Sequence, residues 1–303
     1  MEVNTIVENL ESTVDMKYKR AEIDEAISRR EEIVPLLIDI LKKVLEKPED
    51  VIDEYNYMGH SYALLLLGHF KEKSAHELIL KLFSLPDEKS SDLFGDMVTE
   101  TLPNLLLNTC GGCFDGIKEL ALNTNAYEYC RGSALKAMNF GVVEGFISRE
   151  EVLSFFKTIL ENRKSEPSSF LFDELASCIC DLYPEELMDI ITECYEDDYI
   201  HPGYIGLDSF EEALKAGKEE CLERIKRDME CRCLDDIHTV MSGWACFEEN
   251  QNRGFYEGDY DNDDDFDYNS NTGKPLPNAH HKKKDKNKNK MSKASKKKNR
   301  KKK

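Results

Sequence analysis

The sequence contains no long apolar segment. Its longest uninterrupted apolar run extends only from Tyr62 to Leu67, whereas a helix that crosses a bilayer needs about 20 predominantly apolar residues. The N-terminal stretch includes Glu2, Glu8 and Asp15 and lacks the apolar core of a secretory signal peptide. We therefore predict a cytoplasmic protein without a membrane span. In that compartment the ten cysteines are expected to remain reduced thiols.

The common catalytic fingerprints are also missing. The sequence has no Gly-x-Gly-x-x-Gly or Walker loop for a nucleotide, and no Gly-x-Ser-x-Gly elbow for a serine nucleophile. Its seven histidines are scattered and form no His-Glu-x-x-His pair of a zinc protease. An EF-hand loop that starts at Asp259 or Asp261 would lack the Gly and the Glu that this motif requires. We therefore predict no cofactor, and a non-enzymatic role is favoured over an enzymatic one.

Strand patterns are nearly absent, because no segment alternates apolar and polar residues for long. Apolar residues instead recur at helical spacing, as they do between Ile33 and Leu45. From residue 57 onward the predicted helices come in pairs, whose first members begin near residues 57, 96, 127 and 169. One such pair cannot bury its own apolar stripe, whereas stacked pairs share a continuous core. The sequence therefore predicts an all-α fold, a HEAT- or armadillo-like α-solenoid of stacked helix pairs.

The helical periodicity also gives approximate boundaries. The predicted pairs are Tyr57–Phe70 with Ala75–Leu85, Asp96–Asn108 with Phe114–Leu122, Tyr127–Val143 with Glu150–Glu161, and Ser169–Leu182 with Pro184–Tyr195. Two more helices are predicted at Ser209–Lys215 and Lys218–Glu230. The last apolar segment, Leu234–Phe247, is interpreted as a cap on the C-terminal end of the solenoid.

Charge is distributed unevenly along the chain, whose formal net charge is −19. Residues 1–247 form the predicted helical-repeat domain and carry a net charge of −25. Residues 248–273 are a predicted acidic, disordered linker of net charge −8, and residues 274–303 are a predicted basic, disordered tail of net charge +14. Both end segments are poor in aliphatic residues, so neither is expected to form a core.

The basic tail is the strongest interaction signal in the sequence. Its lysines lie close together without aromatic residues that could stack on bases, so we expect non-specific contact with phosphate backbones, such as RNA or the ribosome. A tail that only solubilises the protein, or folds back onto the acidic domain, is the alternative. The predicted nucleic-acid contacts are Lys282, Lys283, Lys284, Lys296, Lys297, Lys298, Arg300, Lys301, Lys302 and Lys303.

The sharpest local motif is Cys110-Gly-Gly-Cys113. Two cysteines at this spacing could form a redox dithiol or half of a zinc site, for which Cys231 and Cys233 would be the nearest paired thiols. A thioredoxin-like dithiol needs a βαβ context, which is missing here. We therefore favour a structural interpretation, in which Cys110 ends one helix, the two glycines form a turn and Cys113 opens the next helix.

Several spaced segments resemble a known family. They are Gly59–Ala75, Phe94–Leu102, Asn125–Leu135, Asp181–Leu187 and Trp244–Phe247. Together they are similar to a bacterial family catalogued as a domain of unknown function, number 1186, over roughly residues 20–247. The resemblance implies a HEAT-like helical fold and no established activity. Some members end in a Cys-rich metal-binding motif, which this sequence lacks because no cysteine follows Phe247.

Two functions remain open from the sequence. The first is a non-enzymatic scaffold whose helical surface binds a protein or peptide, which would be basic because the domain is acidic. The second is a thiol- or zinc-dependent enzyme or redox factor that uses Cys110 and Cys113.

Overall fold

All regular structure in the described part of the chain is helical. The protein is represented by a computed structural model, which describes residues 1–12, 17–54, 56–165, 169–242, 244 and 247. These residues lie in one unit, Met1–Glu249. The absence of strands among them confirms the predicted all-α class. The predicted linker 248–273 and the predicted tail 274–303 lie outside the described residues.

Seventeen α-helices are found in the described residues. In chain order they are α1 (Val3–Glu11), α2 (Arg20–Ser28), α3 (Arg30–Glu46), α4 (Pro48–Ile52), α5 (Gly59–His69), α6 (His76–Leu82), α7 (Asp87–Phe94), α8 (Met97–Glu100), α9 (Leu102–Thr109), α10 (Asp115–Leu122), α11 (Glu128–Val143), α12 (Arg149–Glu161), α13 (Phe170–Asp181), α14 (Met188–Glu196), α15 (Leu207–Ala216), α16 (Lys218–Cys231) and α17 (Ile237–Ser242). Short 3-10 turns lie at Lys73–Ala75, Arg163–Ser165 and Glu185–Leu187.

Most predicted helices are present with small shifts at their ends, and two differ for a physical reason. The predicted helix Asp96–Asn108 is divided into α8 and α9, and Pro103 lies in the first turn of α9, where its missing N–H costs little. The predicted helix Ala75–Leu85 ends earlier, at Leu82, and α7, which was not predicted, begins directly after Pro86. Its first residues, Asp87 and Glu88, are acidic and favour a helix N-terminus.

The centre of the fold is α5, whose residues Gly59–Gly68 are all buried. A helix that is apolar on every side must be enclosed, which explains the leucine run in this segment. α5 packs against α3 and α9, α9 packs against α11, and α11 packs against α13. These contacts follow chain order, as stacked pairs would require. The solenoid arrangement itself stays a prediction.

The segment that was predicted as a C-terminal cap, Leu234–Phe247, contains α17, which packs against α5 and not against the last predicted helix pair. We call Lys218–Ser242, which contains α16 and α17, the C-terminal strap. α16 packs against α13 and α11, Asn104 of α9 donates hydrogen bonds to the carbonyls of Met229 and Arg232, and α17 packs against α5. The strap therefore runs back along the earlier helices in reverse chain order. The predicted cap is wrong because periodicity shows which face of a helix is apolar, but not which helices cover that face.

None of the described helices is both long enough and apolar enough to traverse a lipid bilayer.

Candidate functional site

A cleft of about 690 Å³ opens where α4, α5, α7 and α8 meet. Its apolar lining comes from α4, α7 and α8 and from the loop that precedes α5, whereas α5 contributes the polar residues His60 and Ser61. These apolar side chains are Val51, Ile52, Met58, Leu93, Phe94 and Met97. The only tryptophan of the chain, Trp244, also lines the cleft. The C-terminal segment thus reaches this site after it has passed α9 and α5.

Four carboxylates line the cleft, namely those of Glu54, Asp92, Asp96 and Glu100, and all four residues are exposed. No Lys or Arg is among the described residues that line it. Glu100 forms an ion pair with Arg232 Nη1 at 2.7 Å, while the other three carboxylates have no ion-pair partner within the described residues. Charges of one sign around a low-dielectric surface strengthen the local negative potential. We refer to this site as the acidic cleft.

The buried imidazole of His60 lies at the floor of the acidic cleft and is only 5% exposed. Its Nε2 lies 2.7 Å from the carbonyl oxygen of Leu93, which can only accept, so Nε2 carries the proton. Burial lowers the pKa of His60, which keeps the ring neutral at neutral pH. Nδ1 is therefore a hydrogen-bond acceptor, and it is buried without a partner among the described residues.

The ring of Tyr57 fixes the orientation of this imidazole. It stacks on the His60 ring with centroids 5.8 Å apart and an interplanar angle of 5°. The Tyr57 hydroxyl donates a hydrogen bond to Glu11 Oε1 at 2.8 Å, and burial raises the pKa of Tyr57. The phenol therefore remains protonated and keeps this contact at physiological pH.

The motif Cys110-Gly-Gly-Cys113 forms the connection between α9 and α10. Gly111 and Gly112 have φ values of +62° and +89°, which is the left-handed conformation expected of a glycine turn. Cys110 is buried, its Sγ donates to the carbonyl of Leu107, and burial raises its pKa. Cys113 is exposed, with its Sγ 3.8 Å from Asp115 Oδ2. Only one thiol of the predicted pair is thus accessible.

Cys231 and Cys233 lie at the end of α16, away from that motif. The neighbouring carbonyl of Arg232 is bonded to Asn104 near the start of α9, whereas Cys110 follows the end of α9. Asn104 and Cys110 are six residues apart, which corresponds to roughly 9 Å along a helix, whereas a Zn–S bond is about 2.3 Å long. Across the described ranges, no group of three or more His, Cys, Asp or Glu side chains is placed to hold a metal ion. The structure does not bring the four candidate cysteines together.

A second cleft, of about 630 Å³, is lined by Cys113 and by His76. Thr109 Oγ1 donates its proton to the carbonyl of Leu105 and therefore accepts from His76 Nδ1 at 2.9 Å. Burial lowers the pKa of His76, so its Nε2 is an unprotonated acceptor, and it has no partner within the described residues. Sequence reasoning missed His76, because its separation of 37 positions from Cys113 matches no known motif.

All ten predicted nucleic-acid contacts, from Lys282 to Lys303, lie outside the described residues. Their role stays a prediction.

Comparison with known proteins gives one family match and two similar relatives. The chain matches the family model described as "Protein of unknown function (DUF1186)" over residues 1–248. It is 30% identical over 245 residues to an uncharacterized protein of Chlamydia trachomatis serovar D, covering 80% of this chain and 96% of that protein. An uncharacterized protein of Chlamydia muridarum is 29% identical over 245 residues, with coverages of 80% and 97%. No solved structure matches the chain.

Proposed function

Since this chain belongs to the DUF1186 family, whose description assigns no activity, we propose from its own residues that it is a non-enzymatic interaction protein. Its acidic cleft binds a basic protein or peptide. The observation that carries this proposal is the set of four lining carboxylates, which surround an apolar floor without a lining Lys or Arg in the described part of the chain.

The chemistry of a lysine or arginine side chain fits this cleft at three points. Its apolar stem can cover Leu93, Met97 and the indole of Trp244, while its charged head stays near the carboxylates. The head can also donate to His60 Nδ1, the buried acceptor at the floor. Exposed charge pairs contribute only about 0.2–1 kcal/mol each, so the carboxylates select for a basic partner and apolar burial provides most of the affinity.

The other parts of the proposal concern the surroundings of the cleft. Stacked helix pairs of a HEAT-like solenoid would hold its four helices in a fixed geometry. The basic tail, with a net charge of +14, would give non-specific contact with RNA or the ribosome, and the protein would act in the cytoplasm. A basic partner that is itself bound to RNA would contact the acidic cleft directly, and its RNA would contact the basic tail.

The fluorescence of Trp244 tests this function directly, because no other tryptophan contributes to the signal. The full chain is titrated with a peptide of alternating lysine and leucine, and then with a peptide in which glutamate replaces every lysine. We expect a saturable change in emission with the basic peptide alone, and we expect added salt to weaken it. Equal responses to both peptides, or no response to either, would contradict the proposal.

A thiol-dependent activity is the second candidate, since Cys113 shares a cleft with the unprotonated Nε2 of His76. Such a function requires a thiolate at neutral pH. The test is the rate at which iodoacetamide alkylates Cys113 between about pH 6 and 9, in the full chain and in the His76→Gln variant. A neutral-pH plateau that His76→Gln abolishes would support this candidate. A rate that follows an ordinary thiol pKa in both proteins would exclude it.

A further inference from the structure

A third site, which is polar, lies between α11, α13 and the C-terminal strap, apart from both clefts described above. It is a cavity of about 220 Å³ whose polar lining is formed by Lys136, Asn139, Asp181, Arg224 and Asp228. Phe140 and Ile225 supply its apolar walls. At about 30 Å³ per water molecule, the cavity has the volume of roughly seven waters, which suits a small organic molecule.

One carboxylate of this cavity, that of Asp228, is already paired with basic side chains. Lys136 Nζ lies 2.8 Å from Asp228 Oδ2, and the other carboxylate oxygen of Asp228 accepts from Arg232 Nε at 2.8 Å. Both oxygens of Asp228 are therefore occupied. This pair holds the strap to α11 and leaves little capacity for a ligand.

Three other residues that line the cavity have unused hydrogen-bonding capacity. Asn139 is 2% exposed; its Nδ2 donates to the carbonyl of Cys178 at 2.9 Å, but its Oδ1 is buried without a partner among the described residues. The carboxylate of Asp181 has neither a hydrogen bond nor an ion pair within the described ranges, and burial raises its pKa to about 6. Arg224 is exposed at the mouth, where Nη2 donates only to Cys221 Sγ.

Unmatched buried polar atoms such as Asn139 Oδ1 are uncommon in folded proteins, because each has lost its hydrogen bonds to water without a replacement. The inner part of this cavity presents two acceptors, the Asn139 carbonyl and the Asp181 carboxylate, which require a donor and favour a cation. Its mouth presents the guanidinium of Arg224, which favours a carboxylate in bidentate geometry. A molecule that satisfies all three groups carries an ammonium at one end and a carboxylate at the other.

We propose that this cavity binds a free α-amino acid, with its ammonium at Asp181 and Asn139 Oδ1 and its carboxylate at Arg224. Phe140 and Ile225 would contact the side chain, so small apolar amino acids fit best. The site is independent of the acidic cleft, and neither proposal requires the other.

The test is calorimetric titration of the full chain with L-alanine, together with two probes that each lack one charge, propionate and L-alanine methyl ester. We expect saturable binding of L-alanine and at least tenfold weaker binding of both probes. Binding of all three probes with equal strength, or of none, would overturn the proposal. The second of these results would assign the cavity to water molecules.

Two variants locate the binding. Arg224→Gln lies at the exposed mouth and is expected to leave the fold intact, while it weakens L-alanine binding at least tenfold. Glu219→Gln, an exposed charge change on the same helix, is the matched control and should bind as the unaltered chain does. Asp181→Asn removes the partner of the ammonium and should abolish the response. If Arg224→Gln and Asp181→Asn both bind with unchanged affinity, the amino acid does not occupy this cavity.

Discussion

The hydroxyl of Tyr18 lies 2.5 Å from Nδ1 of His238, although 220 positions separate the two residues in the chain. His238 Nε2 donates to Asp24 Oδ1 at 2.9 Å, while Nδ1 is hydrogen-bonded to the phenol hydroxyl. Burial raises the pKa of Tyr18 to about 12, so the phenol keeps its proton at physiological pH. His238 thus joins the C-terminal strap to the N-terminal helices through both of its ring nitrogens.

Removing this imidazole should loosen the strap. We expect His238→Ala to lower the free energy of unfolding by about 1–2 kcal/mol, because two polar partners lose their hydrogen bonds. Urea denaturation of the full chain measures the change. Lys226→Ala, at an exposed position of the same strap, is the control and should change stability by less than about 0.5 kcal/mol. Equal stability of the two variants would show that His238 does not hold the strap.

Asn104 should hold the middle of the strap. Its Nδ2 donates to the carbonyls of Met229 and Arg232 at 3.2 and 3.1 Å, and the side chain is 3% exposed. Asn104→Leu keeps the volume but leaves two carbonyls without their donor, at a cost of about 1–3 kcal/mol each. We expect faster amide hydrogen exchange in α16 and α17, with that of α11 unchanged. A uniform increase along the whole chain would indicate global destabilisation instead.

The enclosed position of α5 predicts a large effect of truncating its leucines. Leu65 is fully buried, so Leu65→Ala should lower the free energy of unfolding by about 2–5 kcal/mol. Leu122 is 52% exposed, and Leu122→Ala should change it by less than about 0.5 kcal/mol. Denaturation of both variants measures these values. Similar effects at the two positions would contradict the packing described here.

The raised pKa of Asp181 makes its contribution to stability depend on pH. The folded chain binds this proton more tightly than the unfolded chain, in which the pKa is near the ordinary value of 3.8. The resulting stabilisation is complete below about pH 4 and is lost as the pH rises through about 6. A shift of about two pKa units corresponds to a change on the order of 3 kcal/mol.

Asp181→Asn removes this titration. We expect the variant to gain stability relative to the unaltered chain between about pH 4 and 7, and the gain should level off above that range. Comparing the two proteins cancels the titration of all other groups. A difference in unfolding free energy that stays constant with pH would contradict the raised pKa of Asp181.

Sequence reasoning predicted the all-α class, the family and most helices, because each follows from local periodicity or from short segments such as Gly59–Ala75. The family match confirms the resemblance that these segments carried. The strap could not be predicted, since an amphipathic pattern such as that of α16 does not identify its partner helices. The acidic cleft was missed for a related reason. Asp92 and Asp96 are four residues apart but lie on either side of the break between α7 and α8, and only the meeting of four helices brings them close to Glu54.

The basic tail gives a prediction that is separate from the helical domain. The full chain should bind bulk RNA weakly, with an affinity that falls steeply as salt rises, because each lysine–phosphate contact releases a counterion. Replacing the ten basic residues between Lys282 and Lys303 named above with glutamine should abolish that binding. Filter binding across a salt series measures the RNA affinity of the unaltered and the substituted chain. If the substituted chain binds RNA equally well, the tail is not the contact, and if neither binds at low salt, the tail has another role.

The central claim is that the acidic cleft binds a basic peptide, and substitution of the cleft's own carboxylates tests it most directly. The affinity of the lysine–leucine peptide is compared between the unaltered chain, the Asp92→Asn/Asp96→Asn variant and a control, Glu219→Gln/Glu223→Gln, which carries the same charge change on exposed residues of α16. We predict roughly two- to thirtyfold weaker binding for the cleft variant, because two exposed charge pairs contribute about 0.4–2 kcal/mol together, and no change for the control. Equal affinities of the two variants would show that the peptide responds to overall charge and that the cleft does not bind it.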